Sequence, residues 1–371
     1  MTNIQEIYLS LLRAAMWETE PVIPQDANID NLIRVAACHS TAPMIYNIIL
    51  SADTIPVTPA QKMLMMQVSM QQIQRQMQLL SVLREAVTAL EKEHFQPVVL
   101  KGFGLASLYP NPHLRPSGDI DLYVGTERFP EACEAIMHRF PEAYHPDKMI
   151  TAGKHYNIEV EDLVIETHRI SYGFPDLRRN RLYREMEKAG LQGTLPKAQY
   201  EDYEFVIPNP DFNALFVFLH AWHHFEHGGM NLRQLSDWTM LLHRYAAELD
   251  VEMLRNRLNQ LHMMEAWQAF GWVAVNKLGL PQTEMPFYSD RFAARGEAVF
   301  HLLWNDALFG RKHIVRKDKS LRGIAKWWNT FRLTLQNMRW IYPVLPRTAL
   351  REAVIQTYAA FMHVVFEKEY E

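Results

Sequence analysis

Apolar positions at helical spacing fill the first 95 residues, give way to short alternating runs in the middle of the chain, and return from Asp211 onward. Ile4, Ile7, Tyr8, Leu11 and Leu12 make the first stripe, and Pro21 and Pro24 end it. A second helix is expected from a cap at Asn28 or Asp30 toward Leu50, kinked or split at Pro43. Residues 60–95 contain almost no breakers. Leu64, Val68, Leu79, Leu83, Val87 and Leu90 predict one long helix or two in line, although the segment is rich in Gln and Met. Gln-rich tracts can aggregate, but the interleaved Met and Leu favour a packed helix here.

Pro97 marks the switch to strand character at Val98–Leu100. A second strand is expected around Asp119–Val124, with a glycine turn, a short helical stretch and a proline-punctuated loop between the two. A helix over Thr126–Phe140 follows. His155–Val160 and Leu163–Ile170 read as a hairpin closed by Glu161-Asp162. Residues 172–210 read as a loop-and-helix connection with a short strand at Tyr203–Ile207. Helices are expected near 211–226, 231–247, 251–262, 264–278, 290–308, 321–340 and 347–367. The predicted class is α+β: an N-terminal helical region (1–95), a small α/β core (96–210) and a C-terminal helical region (211–371).

Composition narrows the field only a little. Hydrophobic residues at 48% and charged residues at 22% are ordinary for a soluble globular chain, and a net charge of −4 marks no general polyanion binder. Cys38 and Cys133 are too few for a disulfide framework or a CxxC metal knuckle. The first twenty residues lack the pattern of a signal peptide, and no apolar run approaches the ~18 residues that cross a bilayer. A cytoplasmic protein with no membrane partner is the expectation.

The chemistry concentrates in VVLKGFGLASLYPNPHLRPSGDIDLYV, residues 98–124. On a strand, Asp119 and Asp121 point to the same face, with Ile120 turned the other way. Two adjacent carboxylates repel unless a cation lies between them. Mg²⁺ accepts one or two carboxylates and fills its other positions with water and phosphate oxygens. Gly102 allows backbone to approach phosphate without a Cβ, and a helix starting near Phe103 would aim N–H groups there. Lys101 and Arg115 are candidate phosphate cations, with Ser117 and Gly118 beside them. Glu166 lies at the centre of a later strand, where a carboxylate is out of place without a partner, and His168 shares its face.

With LKGxxLAxxLYPxPxxRPxGDIDLYV in view, the chain resembles the uncharacterised nucleotidyltransferase family of the polymerase-β-like superfamily. The resemblance extends upstream to LIRVAACHSTAPMIYNIIL and downstream to LFVFLHAWHHFEHGGMNLRQLSDWTMLL. It implies a small mixed-sheet core with Asp119, Asp121 and Glu166 as catalytic metal ligands and Gly102 as the turn. It also implies Mg²⁺ or Mn²⁺, and an NTP such as ATP as donor. Many superfamily members carry Gly-Ser at the turn; Lys101-Gly102-Phe103 departs from that and moves phosphate contact to Lys101 or to backbone N–H groups.

His220, His223, His224 and His227 lie on one helical face, a spacing that can bind zinc. No HExxH-type acid accompanies them, and packing of His220 and His223 against the nucleotide or acceptor is the favoured reading. Arg233 and Asp237, one turn apart, form either a plain ion pair or part of the same pocket. Two basic stretches, Arg178–Arg184 and Arg311–Lys326 with Trp327 and Trp328, are either solvated surface or RNA-contacting surface. The expected activity is Mg-dependent transfer of NMP to a hydroxyl of RNA, protein or a small molecule. The alternative is a catalytically weak nucleotide-binding module acting through a protein partner.

Overall fold

The computed structural model describes residues 3–52, 55–143, 153–311, 318 and 321–366, without side chains at residue 3 and residues 363–366. The fold is α+β. Helices α1 (Asn3–Trp17), α2 (Ile29–Cys38), α3 (Ala42–Ser51) and α4 (Pro59–Lys92) form the N-terminal layer. The side chain of Asn28 accepts from Asn31 N at 2.9 Å and starts α2. The helix expected to Leu50 is split, as one of the two alternatives had it, because Pro43 sits in the first turn of α3 and cannot continue the preceding turn. Residues 59–92 form one unbroken helix, opened by a capping box between Thr58 and Gln61.

The middle of the chain holds β1 (Val98–Val99), α5 (Phe103–Ala106), β2 (Ile120–Tyr123), α6 (Phe129–Arg139), β3 (His155–Val160) and β4 (Leu163–His168). The strands form one mixed sheet in the order β1-β2-β4-β3. β2 runs parallel to β4 and antiparallel to β1, and β3 and β4 form the expected hairpin. Ile120, Leu122 and Ile165 are fully buried on one face, which leaves Asp121 and Glu166 on the other. Next come α7 (Leu177–Leu191), β5 (Lys197–Tyr200) and β6 (Tyr203–Val206); β5 and β6 make a separate two-stranded sheet. Strand β5 escapes sequence reading because Lys197, Ala198 and Gln199 show no apolar alternation.

The C-terminal region contains α8 (Pro210–His227), α9 (Leu232–Tyr245), α10 (Val251–Gln260), α11 (Met264–Asn276), α12 (Ala293–Phe309), α13 (Gly323–Ile341) and α14 (Pro346–Phe366). Gly228 ends α8 at φ 78°, a left-handed value that favours glycine, and Asn231 with Gln234 caps α9. This corner folds α9 back against α8. An aromatic cluster holds them on α11: the rings of Trp238 and Trp267 lie 4.7 Å apart, and those of Phe218 and Trp267 5.0 Å apart. The apolar core is continuous through all three regions of the chain. No described helix is long and apolar enough to cross a membrane.

The basic stretches are partly structural. Arg179 is 2% exposed and binds Asp176 and Glu352, which ties α7 to α14. Arg311 is buried against Asp306 and the carbonyl of Glu226. Neither guanidinium is presented to a polyanion, because each already satisfies a carboxylate inside the protein. Lys312, Arg316, Lys317 and Lys319 lie outside the described residues. Removing one partner of a buried ion pair leaves the other charge uncompensated. Arg179→Ala should therefore lower unfolding free energy by about 3 kcal/mol, whereas Arg181→Ala, at an exposed position, should change it by under ~0.5 kcal/mol. Urea denaturation of both variants checks the contrast.

Candidate active site

Strand register assembles the carboxylates. Asp121 pairs with Glu166 across the parallel β2–β4 ladder, and Asp119 immediately precedes β2. Oxygen atoms from Asp119, Asp121 and Glu166 lie within 4.8 Å of one another, so these three can hold a cation. The spacing and strand assignments that the sequence suggested thus bring the three acids to one point. Asp121 is 1% exposed, and its Oδ2 is buried without a hydrogen-bond partner. A buried acceptor left unmade is costly, and a bound cation would satisfy it.

Lys101 and His168 already contact this charge. Lys101 Nζ lies 2.8 Å from Asp121 Oδ1, and His168 Nε2 lies 2.9 Å from the same atom and 3.4 Å from Glu166 Oε2. Burial would push the Asp121 carboxyl up, but Lys101 and the His168 hydrogen bond overcome it and hold the group well below the usual carboxylate range. Among the described residues Asp119 has no such donors. Burial, then the neighbouring Asp121, raises its pKa above the ordinary value. Burial opposes charge on Lys101 and His168 as well, yet contact with Asp121 keeps both raised.

The turn before α5 is fixed from beneath. Gly102 adopts φ 51°, in the range that favours glycine, and its carbonyl accepts from Arg115 Nη1 at 3.3 Å. Arg115 is 2% exposed and grips Asp237 of α9 through Nε at 3.0 Å and Nη2 at 2.6 Å. Its Nη1 also donates to Ser117 Oγ at 2.7 Å. Gln76 of α4 donates to the Arg115 carbonyl at 2.5 Å and to Ser117 Oγ at 3.3 Å, and Tyr109 donates to Asp237 at 2.9 Å. Arg115, Ser117 and Asp237 therefore form a buried strut that clamps the glycine turn between α4 and α9. Phe103 is buried against Tyr200, so only its backbone faces the turn. A Cβ on Gly118 would meet no atom within 4 Å, which leaves open space beside Asp119.

The helix pair roofs the site. Arg233 lies one turn from Asp237, with its Nη1 3.3 Å from that carboxylate, and remains 22% exposed at the side chain. It acts electrostatically on Asp119. The four histidines of α8 separate into two pairs. His220 and His224, with rings 4.6 Å apart, sit where burial, and after it Lys101, pushes both imidazoles toward the neutral form, His224 to about 4. His223 and His227, rings 4.5 Å apart, face a neighbouring cavity of ≈ 710 Å³ that Tyr172, Phe174, Trp222 and Gln356 also line. Among the described residues no metal-holding group includes these histidines, so the zinc reading of this helix has no geometric support. His220 lies within electrostatic reach of Lys101 and Asp121, whereas His223 lines the neighbouring cavity.

Sequence reading missed the supporting roles of Gln76 and Tyr109, and it missed His155. The last was within reach. The two-residue turn Glu161-Asp162 pairs Val160 with Leu163, and counting back along the hairpin pairs His155 with His168.

Comparison with known proteins returns a single finding. A sequence model described as uncharacterised nucleotidyltransferase matches residues 25–279, from just before α2 to just beyond α11. No curated protein and no solved structure matches the chain. The matched span covers more than half of the chain and includes the glycine turn, all three carboxylates, the Arg115–Asp237 strut and the α8–α9 roof. The chain belongs to the uncharacterised nucleotidyltransferase family.

Proposed function

We propose that the protein is a divalent-metal-dependent nucleotidyltransferase with a polymerase-β-like core at 96–210, flanked by helical regions at 1–95 and 211–371. It moves an NMP group from an NTP to an acceptor hydroxyl. The observation that carries this reading is the convergence of Asp119, Asp121 and Glu166, supplied by a loop and two strands, beside a positive-φ glycine turn. The family membership supports NTP as the donor. An NTP donor and two unbridged cysteines suit a cytoplasmic setting.

In the reaction, the acceptor oxygen bonds to the α-phosphorus as the bond to pyrophosphate breaks, and pyrophosphate leaves with the electron pair. Mg²⁺ or Mn²⁺ held by Asp119, Asp121 and Glu166 would supply charge stabilisation to the attacking and leaving oxygens. Glu166, partly exposed at the edge of the set, accepts the acceptor's proton. Lys101 and Arg233 are the cations that face the site, and they offset charge on the departing phosphates. Arg115, expected from sequence to touch phosphate, instead positions the Gly102 turn, since Asp237, Ser117 and the Gly102 carbonyl engage its donors. Phe103 and Ser117 serve the turn in the same supporting way, and Gly118 leaves room for the nucleotide. His168 orients Asp121. The cavity beside His223, reached past the ends of β2 and β4, is the place for the acceptor.

A catalytically weak nucleotide-binding module is the second reading. The Lys101–Asp121 pair favours it, because Asp121 already has a cation. Variants of the two aspartates separate function from stability. Burial and Asp121 disfavour charge on Asp119, so Asp119→Asn relieves repulsion in the fold at neutral pH. It should leave the unfolding midpoint unchanged or slightly higher. Transfer of label from α-labelled NTP in a cell extract should fall about a thousandfold or more, as expected when several kcal/mol of charge stabilisation are lost. Asp121→Asn should also inactivate, but at a cost of about 3 kcal/mol in stability, because it strands the Lys101 ammonium. Full transfer by Asp119→Asn would remove the proposed mechanism.

A further inference from the structure

We infer that His155, Glu166 and His168 form a second cation site, adjacent to the three carboxylates but different in ligand type, that takes a transition-metal dication rather than Mg²⁺. The β3–β4 register places His155 directly across from His168, and Glu166 lies two residues before His168 on the same face. His155 Nε2 is 4.0 Å from Glu166 Oε1, His168 Nε2 is 3.4 Å from Glu166 Oε2, and the two rings are 5.0 Å apart. One donor atom from each residue falls within 4.8 Å of the others, so two imidazoles and a carboxylate converge on a volume the size of a metal ion. His168 is 5% exposed, and its Nδ1 is buried without a hydrogen-bond partner. The nitrogen that faces Glu166 is Nε2, which Asp121 Oδ1 also contacts at 2.9 Å, so a bound ion takes the place of that contact. Imidazole with carboxylate suits Zn²⁺, Co²⁺ and similar ions, whereas Mg²⁺ takes oxygen ligands.

Glu166 belongs to both sets, so the inference shares a residue with the proposed function, yet it does not require nucleotidyl transfer. Titration of the metal-free full-length protein with Co²⁺, followed by visible absorption, reads the site directly. Wild type should develop ligand-field bands. His155→Ala, at a half-exposed strand position that tolerates truncation, should weaken the Co²⁺ affinity at least tenfold. Asp119→Asn should change it by less than about threefold while abolishing transfer. Absence of bands in wild type, an unchanged titration in His155→Ala, or an equal loss in Asp119→Asn would overturn the site. A His155-dependent band in a protein without transfer activity would uphold the site and count against the proposed function alone.

Discussion

Three carboxylates brought together by two parallel strands and the loop before one of them repel one another, and much of the surrounding structure offsets that repulsion. Asp121 is the buried one, and Lys101 and His168 both bind its Oδ1. Asp119 and Glu166 stay nearer the open side, where solvent or a ligand can reach them. At an effective dielectric constant near 20, a pair of unit charges ~4 Å apart interacts by about 4 kcal/mol, so three acids could not share this space without internal cations. The fold thus stores an unfavourable charge arrangement that an incoming cation can relieve, and Asp121 Oδ2 marks one place where relief is still owed.

The helical layers give this arrangement its rigidity. Arg115 spans from the glycine turn to Asp237 on α9, and Gln76 holds the same loop from α4. Side chains from three distant parts of the chain therefore meet beneath one turn, so the site forms only when both helical regions are docked. The aromatic packing of α8 and α9 on α11 keeps Arg233 and His220 within electrostatic reach of the acids. A small four-stranded sheet could not hold these positions alone.

The elements themselves were largely legible. Helical periodicity located the long helices, and the Asp119/Asp121 alternation with Glu166 located the acids, because strand geometry places alternate residues on one face. Harder to see were partnerships between distant residues. Arg115 looked like a phosphate ligand because it stands next to the GDID run; that Asp237, 122 positions later, would engage it follows only from how α9 docks. His220 and His223 looked equivalent on a helical wheel, yet they face different spaces. The hairpin register that pairs His155 with His168 was present in the two-residue turn, so that contact was countable from sequence.

The central claim is that these carboxylates direct attack at the α-phosphorus of an NTP. The most direct measurement is a paired incubation of the protein, Mg²⁺ and acceptor-containing extract with the same NTP labelled at either the α- or the γ-phosphate. The account predicts that α-label enters the acceptor while γ-label appears in released pyrophosphate. Transfer of γ-label to the acceptor, or release of γ-label as inorganic phosphate with no α-label incorporated, would contradict it.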